Sequence, residues 1–181
     1  EPLYLKHLLG GIEYAIGDNK ELDYSKATSQ MPPDEDRFTK TSLVKGVFFE
    51  PTEMTILPNL DILVLQRRGE ILKYDHTSKS VKQVGYLNVY WKTKHTPGVN
   101  SEEGLLGISK DPNFAKNHWV YIYYSPADTS VNRLSRFTFE NDTIDIKSEK
   151  IILQFYEQRE ICCHTGGSVA FCRKRFSRRI Y

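Results

Sequence analysis

Apolar residues in this chain change their spacing at about residue 37. Over residues 1–17, EPLYLKHLLGGIEYAIG, the residues Leu5, Leu8, Leu9, Ile12 and Ile16 recur at intervals of three and four, which predicts one amphipathic helix. Gly10 and Gly11 inside it each cost about 1 kcal/mol of helix propensity, a loss that close packing against another element would offset. Residues 18–36, DNKELDYSKATSQMPPDED, are polar, acidic and proline-punctuated with no apolar period, as a linker is. From residue 37 short apolar runs alternate with turn residues. TEMTILP, DILVLQRRG, EILKYD and SVKQVGYL predict strands at 52–57, 61–66, 69–74 and 80–87, joined closely enough for a meander.

After a loop at residues 88–103 the same order returns in GLLGIS, WVYIYYS, NRLSRFTF and EKIILQF, and GGSVAF opens a third round. The first strands of the rounds start near Thr52, Gly104 and Gly167, a spacing of roughly 50 to 60 residues, close to the ~40 to 50 of a four-stranded propeller blade. Such a meander buries both faces only when neighbouring sheets stack around an axis. The expectation is therefore all-β: an incomplete β-propeller of about two four-stranded blades and the start of a third, preceded by one helix and a linker. A twisted sandwich of two four-stranded sheets gives the same strand count.

Aromatic residues make up 12% of the chain and gather in WVYIYYS and RLSRFTFE, which strengthens the strand reading. With 25 basic against 23 acidic residues the net charge is +2, and no basic stripe interleaved with aromatics runs through the body, so nucleic acid is not an expected partner. No apolar run reaches the roughly 18 residues of a membrane-spanning helix. Three cysteines, two of them adjacent, make neither a disulfide framework nor the paired C-x-x-C of a structural zinc site.

The string ICCHTGGSVAF, residues 161–171, concentrates the candidate chemistry. Cys162, Cys163 and His164 are consecutive and cannot readily converge on one tetrahedral ion, so a metal site is the poorest reading of His164. An imidazole titrates near neutral pH and suits a general base on a loop. The glycines that follow permit a tight turn and the close approach of a flat ligand. His95 and His118 have no motif around them and are assigned to surface or packing.

Residues 102–125, EEGLLGISKDPNFAKNHWVYIYYS, resemble the glucose/sorbosone dehydrogenase family through Gly104-Leu105-Leu106-Gly107, Asp111-Pro112-Asn113-Phe114, Asn117 and Trp119-Val120-Tyr121. Upstream, Arg67-Arg68-Gly69-Glu70-Ile71 is similar to the R-x-G-x-I of that family's opening blade, and His164-Thr165-Gly166-Gly167 to its H-x-G-G. The resemblance covers residues 37–171, read as the N-terminal blades. It implies a six-bladed propeller, oxidation of a sugar C1 hydroxyl, and pyrroloquinoline quinone (PQQ) as cofactor. His164 would be the general base, and Glu102 would stand where the family places a polar contact to quinone or substrate. The resemblance also implies calcium in the full-length family, with its ligands, and the basic residues that hold the quinone, beyond this chain.

Family habit implies a periplasmic or extracellular location, a sugar as partner and no activity for two blades alone. A non-catalytic propeller module that binds carbohydrate or protein is the competing expectation. The adjacent Cys162 and Cys163 either stay reduced or form a vicinal disulfide, the latter by analogy with quinoprotein alcohol dehydrogenases. HLLGGIEYAIGD resembles the closing helix of ThuA-like domains, which makes residues 1–17 the end of such a domain. Residues 172–181, CRKRFSRRIY, carry five basic residues and no acid where the family pattern expects a glycine-rich turn; a frame slip or truncated gene model is the expectation there.

Overall fold

A computed structural model describes residues 5–10, 12, 39–93, 101–160 and 165–171. The chain divides into two units, Glu1–Thr41 and Ser42–Tyr181. In the first, residues 5–10 and 12 are helical, in keeping with the apolar spacing, and no described element of that unit covers Leu5, Leu8, Leu9 or Ile12. Gly11, Ile16 and the expected linker lie outside the described residues.

The second unit holds two four-stranded antiparallel sheets. The first comprises β1 (Pro51–Ile56), β2 (Ile62–Gln66), β3 (Glu70–Tyr74) and β4 (Val81–Tyr86), and the second β5 (Leu105–Lys110), β6 (Trp119–Tyr124), β7 (Val131–Glu140) and β8 (Thr143–Tyr156), each a simple meander in chain order. Alternation drives this: in β6, Val120, Ile122 and Tyr124 are buried while Trp119, Tyr121 and Tyr123 on the other face are half-buried. All eight expected strands form within a few residues of their expected bounds. The largest departure is β8, which begins at Thr143 because Asn141 and Asp142 both take left-handed φ (51° and 57°), the tight hairpin turn that keeps β7 and β8 paired.

The sheets stack with equivalent strands together, β1 on β5 and β4 on β8, as successive blades of a propeller do. Between them Leu63, Leu65, Ile71, Leu105, Val120, Ile122 and Phe137 are fully buried. The innermost strands are joined by side chains and not by a ladder: Thr52 Oγ1 donates to Leu105 O at 2.9 Å, Ile108 N to Glu53 Oε2 at 2.9 Å, and Lys110 N to Thr55 Oγ1 at 3.2 Å. Residues 165–171 continue this arrangement beyond β5 without pairing as a strand, and Phe171 meets Tyr121 edge-on at 5.1 Å. The outer faces of both sheets leave apolar side chains uncovered, Met54 and Ile56 on one, Leu153 and Phe155 on the other.

In this topology the connections alternate between two ends. The segment before β1, the β2–β3 turn, the β4–β5 connection, the β6–β7 turn and the segment after β8 share one end. Glu102, in the β4–β5 connection, and Thr165, in the segment after β8, both fall there.

Candidate functional site

Arg67, in the β2–β3 turn, organises this end. Its Nη1 donates to the carbonyls of Trp91 (2.8 Å), Ser101 (2.7 Å) and Glu103 (3.4 Å), and its Nη2 to Glu50 Oε2 (2.9 Å). One guanidinium thus pins both flanks of the β4–β5 connection to the segment before β1. Burial pulls the Glu50 carboxyl upward, but Arg67 and Arg68 together hold it below the ordinary glutamate value. Gly104, directly before β5, has φ of 139°, and a Cβ there would lie 2.0 Å from Arg67 O. Only glycine permits that approach, which lets Leu105 N reach the same carbonyl at 3.0 Å.

A second group joins the β6–β7 turn to the segment after β8. Arg159 donates from Nη2 to Pro126 O at 2.9 Å and lies 4.2 Å over the Tyr90 ring. Glu157, with a side chain only 8% exposed, accepts from Asn132 Nδ2 at 3.0 Å and from the Thr165 hydroxyl. Asn132 in turn accepts from Ser125 Oγ at 2.5 Å. Thr165 is held from its other side as well, because its backbone N–H donates to Glu102 Oε2 at 3.2 Å. Burial, then the Glu157 charge, pushes the neighbouring Tyr123 phenol up.

The structure therefore brings exposed Glu102 to the residue that follows His164. His164 itself lies outside the described residues, as do Cys162, Cys163, His95 and residues 172–181. Of the two glycines after Thr165, Gly167 has a packing role: a Cβ there would meet the Tyr123 ring at 2.4 Å, whereas Gly166 has open space around it. His118 sits at the opposite end, in left-handed conformation after the helical turn Phe114–Asn117, stacked on Phe114 at 5.8 Å and 3.7 Å from Glu140. It lines a hollow of about 500 Å³ with Leu57, Asp61 and Phe139. Among the described residues no group of three or more His, Cys, Asp or Glu could hold a metal ion. No helix among them is long and apolar enough to cross a membrane.

Residues 48–176, most of the second unit, match the family described as Glucose / Sorbosone dehydrogenase. The chain belongs to that glucose/sorbosone dehydrogenase family. The match begins after residues 1–17 and has no bearing on their ThuA-like resemblance. A curated relative, the uncharacterised protein slr1608 of Synechocystis sp. (strain PCC 6803), is 30% identical over 97 residues, 52% of this chain and 24% of the relative. Among solved structures, a Thermus thermophilus protein provisionally described as an oxidoreductase (glucose dehydrogenase) aligns with TM-score 0.58 and 24% identity, over 70% of this chain and 34% of its own. That likeness shows the propeller fold. The PQQ-bound aldose sugar dehydrogenase of Streptomyces coelicolor aligns with TM-score 0.48 and 24% identity, over 61% of this chain and 32% of its own. The chain thus spans about a quarter to a third of the length of these relatives.

The residues missed by reading the sequence are Glu50, Glu157, Asn132 and Arg159. Each acts through a partner on another loop, so local spacing carries no sign of it. Arg67 was visible as part of R-x-G-x-I, but its hold on the β4–β5 connection was not.

Proposed function

We propose that this chain forms the first blades of a PQQ-dependent aldose dehydrogenase in which His164 is the general base. The observation that supports this most directly is the convergence on Thr165: Glu102, ahead of β5, and Glu157, after β8, both hold the residue next to His164. Fixing the backbone beside a base limits the positions it can sample, which is what proton transfer at a defined hydroxyl requires. In this reading His164 takes the proton from the sugar C1 hydroxyl, and Glu102 sits beside it as a polar contact to substrate or cofactor. When bound, PQQ supplies the acceptor for the C1 hydride.

The cofactor's carboxyl groups need cationic partners. On the described part of this end Arg67 and Arg159 spend their guanidinium groups on carbonyls of the chain, whereas the terminal amino groups of Arg68 make no hydrogen bond to a described residue. The described residues thus fit one edge of PQQ; calcium and the rest of the grip belong to later blades, and a periplasmic or extracellular location goes with this reading. The test is dye reduction with aldoses, PQQ and calcium. Turnover is expected from these blades joined to a closed propeller and none from the 181 residues alone. Robust turnover by the 181-residue chain would overturn the assignment of the grip to later blades.

A further inference from the structure

Arg67 and Arg68 are neighbours with opposite fates. Arg67 is consumed by carbonyls of the β4–β5 connection, whereas the Arg68 guanidinium lies between two rings, 4.0 Å from the Phe49 centroid and 4.7 Å from that of Trp91. Its Nε donates to Glu50 Oε2 at 3.2 Å. The Phe49 side of the sandwich is itself anchored, because Phe49 N donates to the buried Gln66 Oε1 at 2.6 Å. Among the described residues the two terminal amino groups of Arg68 make no hydrogen bond, and 36% of its side chain is exposed.

The charge is unbalanced in the same direction. Glu50 is the one carboxylate paired with both arginines, which leaves the trio with a net positive charge. An arginine packed against two rings has already lost part of its rotamer freedom, so an arriving ligand has less to order. Its two terminal amino groups form a planar pair of donors, the geometry that a carboxylate accepts in two parallel bonds. The ring edges of Phe49 and Trp91 on either side suit an anion attached to a ring more than a free ion.

We propose that Arg68, clamped between Phe49 and Trp91, is a recognition site for a carboxylate borne on a ring. The proposal rests on the dehydrogenase reading for what arrives there: the quinone cofactor or an acidic sugar.

Side-chain NMR of the Arg68 Nε–H and Nη groups in the 181-residue chain, titrated separately with PQQ, glucuronate and glucose, tests it. A response to PQQ alone assigns the site to the cofactor, and a response to glucuronate assigns it to an acidic substrate. Either result supports a carboxylate site, with glucose inert and affinity falling at least about tenfold in Arg68→Lys, which keeps charge but not the fork. Phe49→Leu, which leaves the guanidinium in place, should weaken binding in the same direction. No Arg68 response to either acid, or equal affinity in Arg68→Lys with an unchanged urea midpoint, overturns the proposal. Binding here is read without turnover: His164→Asn should leave the Arg68 response intact, so failure of the base assignment and failure of this site give different results.

Discussion

Glu102 Oε2 accepts the backbone N–H of Thr165 at 3.2 Å, joining residues 63 positions apart in sequence. The contact makes the loop ahead of one blade a support for the loop ahead of the next. Glu157 supports the same residue through its hydroxyl, so Thr165 is fixed through both main chain and side chain.

The Glu157 contact is open to a double-mutant cycle. Glu157 is buried and also carries Asn132, so Glu157→Ala should cost roughly 2 to 3 kcal/mol in urea unfolding, and Thr165→Val about 1 to 2 kcal/mol. Because the two share one hydrogen bond, the double variant should fall short of the sum by at least about 0.5 kcal/mol. Strict additivity would show that the bond contributes nothing in solution.

At the opposite end, Lys73 is a buried cation, 3% exposed, that reaches Asp142 at 2.7 Å, Asp61 at 3.0 Å and Asp75 at 3.2 Å. Asp142 lies in the β7–β8 turn, so this ammonium ties one blade to the other. Lys73→Met should destabilise by roughly 3 to 5 kcal/mol at pH 7, since it leaves buried Asp61 without its counter-charge. Lys73→Met with Asp61→Asn should recover part of that loss, and no recovery would contradict an electrostatic origin.

The same cluster sets a pH dependence. Burial pulls the Asp61 carboxyl upward, yet the His76 N–H, Lys73 and Asn59 together hold it below its ordinary value of 3.8; Lys73 and Lys82 hold Asp142 below the same value. Lowered carboxyl values mean that these groups add stability above their unfolded values and lose it as pH falls through the folded ones. Burial works against the charge of Lys73, but its three aspartates raise it above the ordinary lysine value, so its contribution persists through neutral pH and fades only in strong alkali. Urea midpoints should therefore be flat from about pH 5 to 8 and decline below about pH 4. In Lys73→Met the acid decline should be shallower, because Asp61 has lost the ammonium that held its carboxyl low and protonation relieves its unpaired charge. A wild-type decline that begins near neutrality would contradict this assignment.

Gly104 tests the hinge between Arg67 and β5. Gly104→Ala places a methyl group against Arg67 O in a backbone conformation that L residues avoid, and should cost roughly 2 to 3 kcal/mol. Gly166→Ala, in open space, should cost less than about 1 kcal/mol. Equal urea midpoints for the two variants would show that the close approach at Gly104 is absent in solution.

Strands were legible because alternation is local. WVYIYY announces its two faces within six residues, and β6 has them. The expectation for GGSVAF was a strand, and residues 165–171 instead lie unpaired against β5 and β6, since a strand needs a ladder partner that no described residue supplies. Glu102 was found through its place before GLLG, and the structure added its hold on Thr165. The Arg68 sandwich was out of reach: Phe49, Arg68 and Trp91 meet only after β1 to β4 have folded, and nothing in their spacing marks them. Lys73 was equally hidden: it shares the face of Ile71 in β3, and the aspartates that pair with it lie outside that strand, which its local spacing does not reveal.

The base assignment has the most direct test. Dye-linked aldose oxidation should be measured in a PQQ-loaded protein carrying these blades in a closed propeller, comparing wild type with His164→Asn. The account predicts a fall in kcat of about 100- to 10,000-fold with PQQ affinity unchanged, as loss of a general base gives. A His164→Asn protein that turns over at the wild-type rate would contradict it.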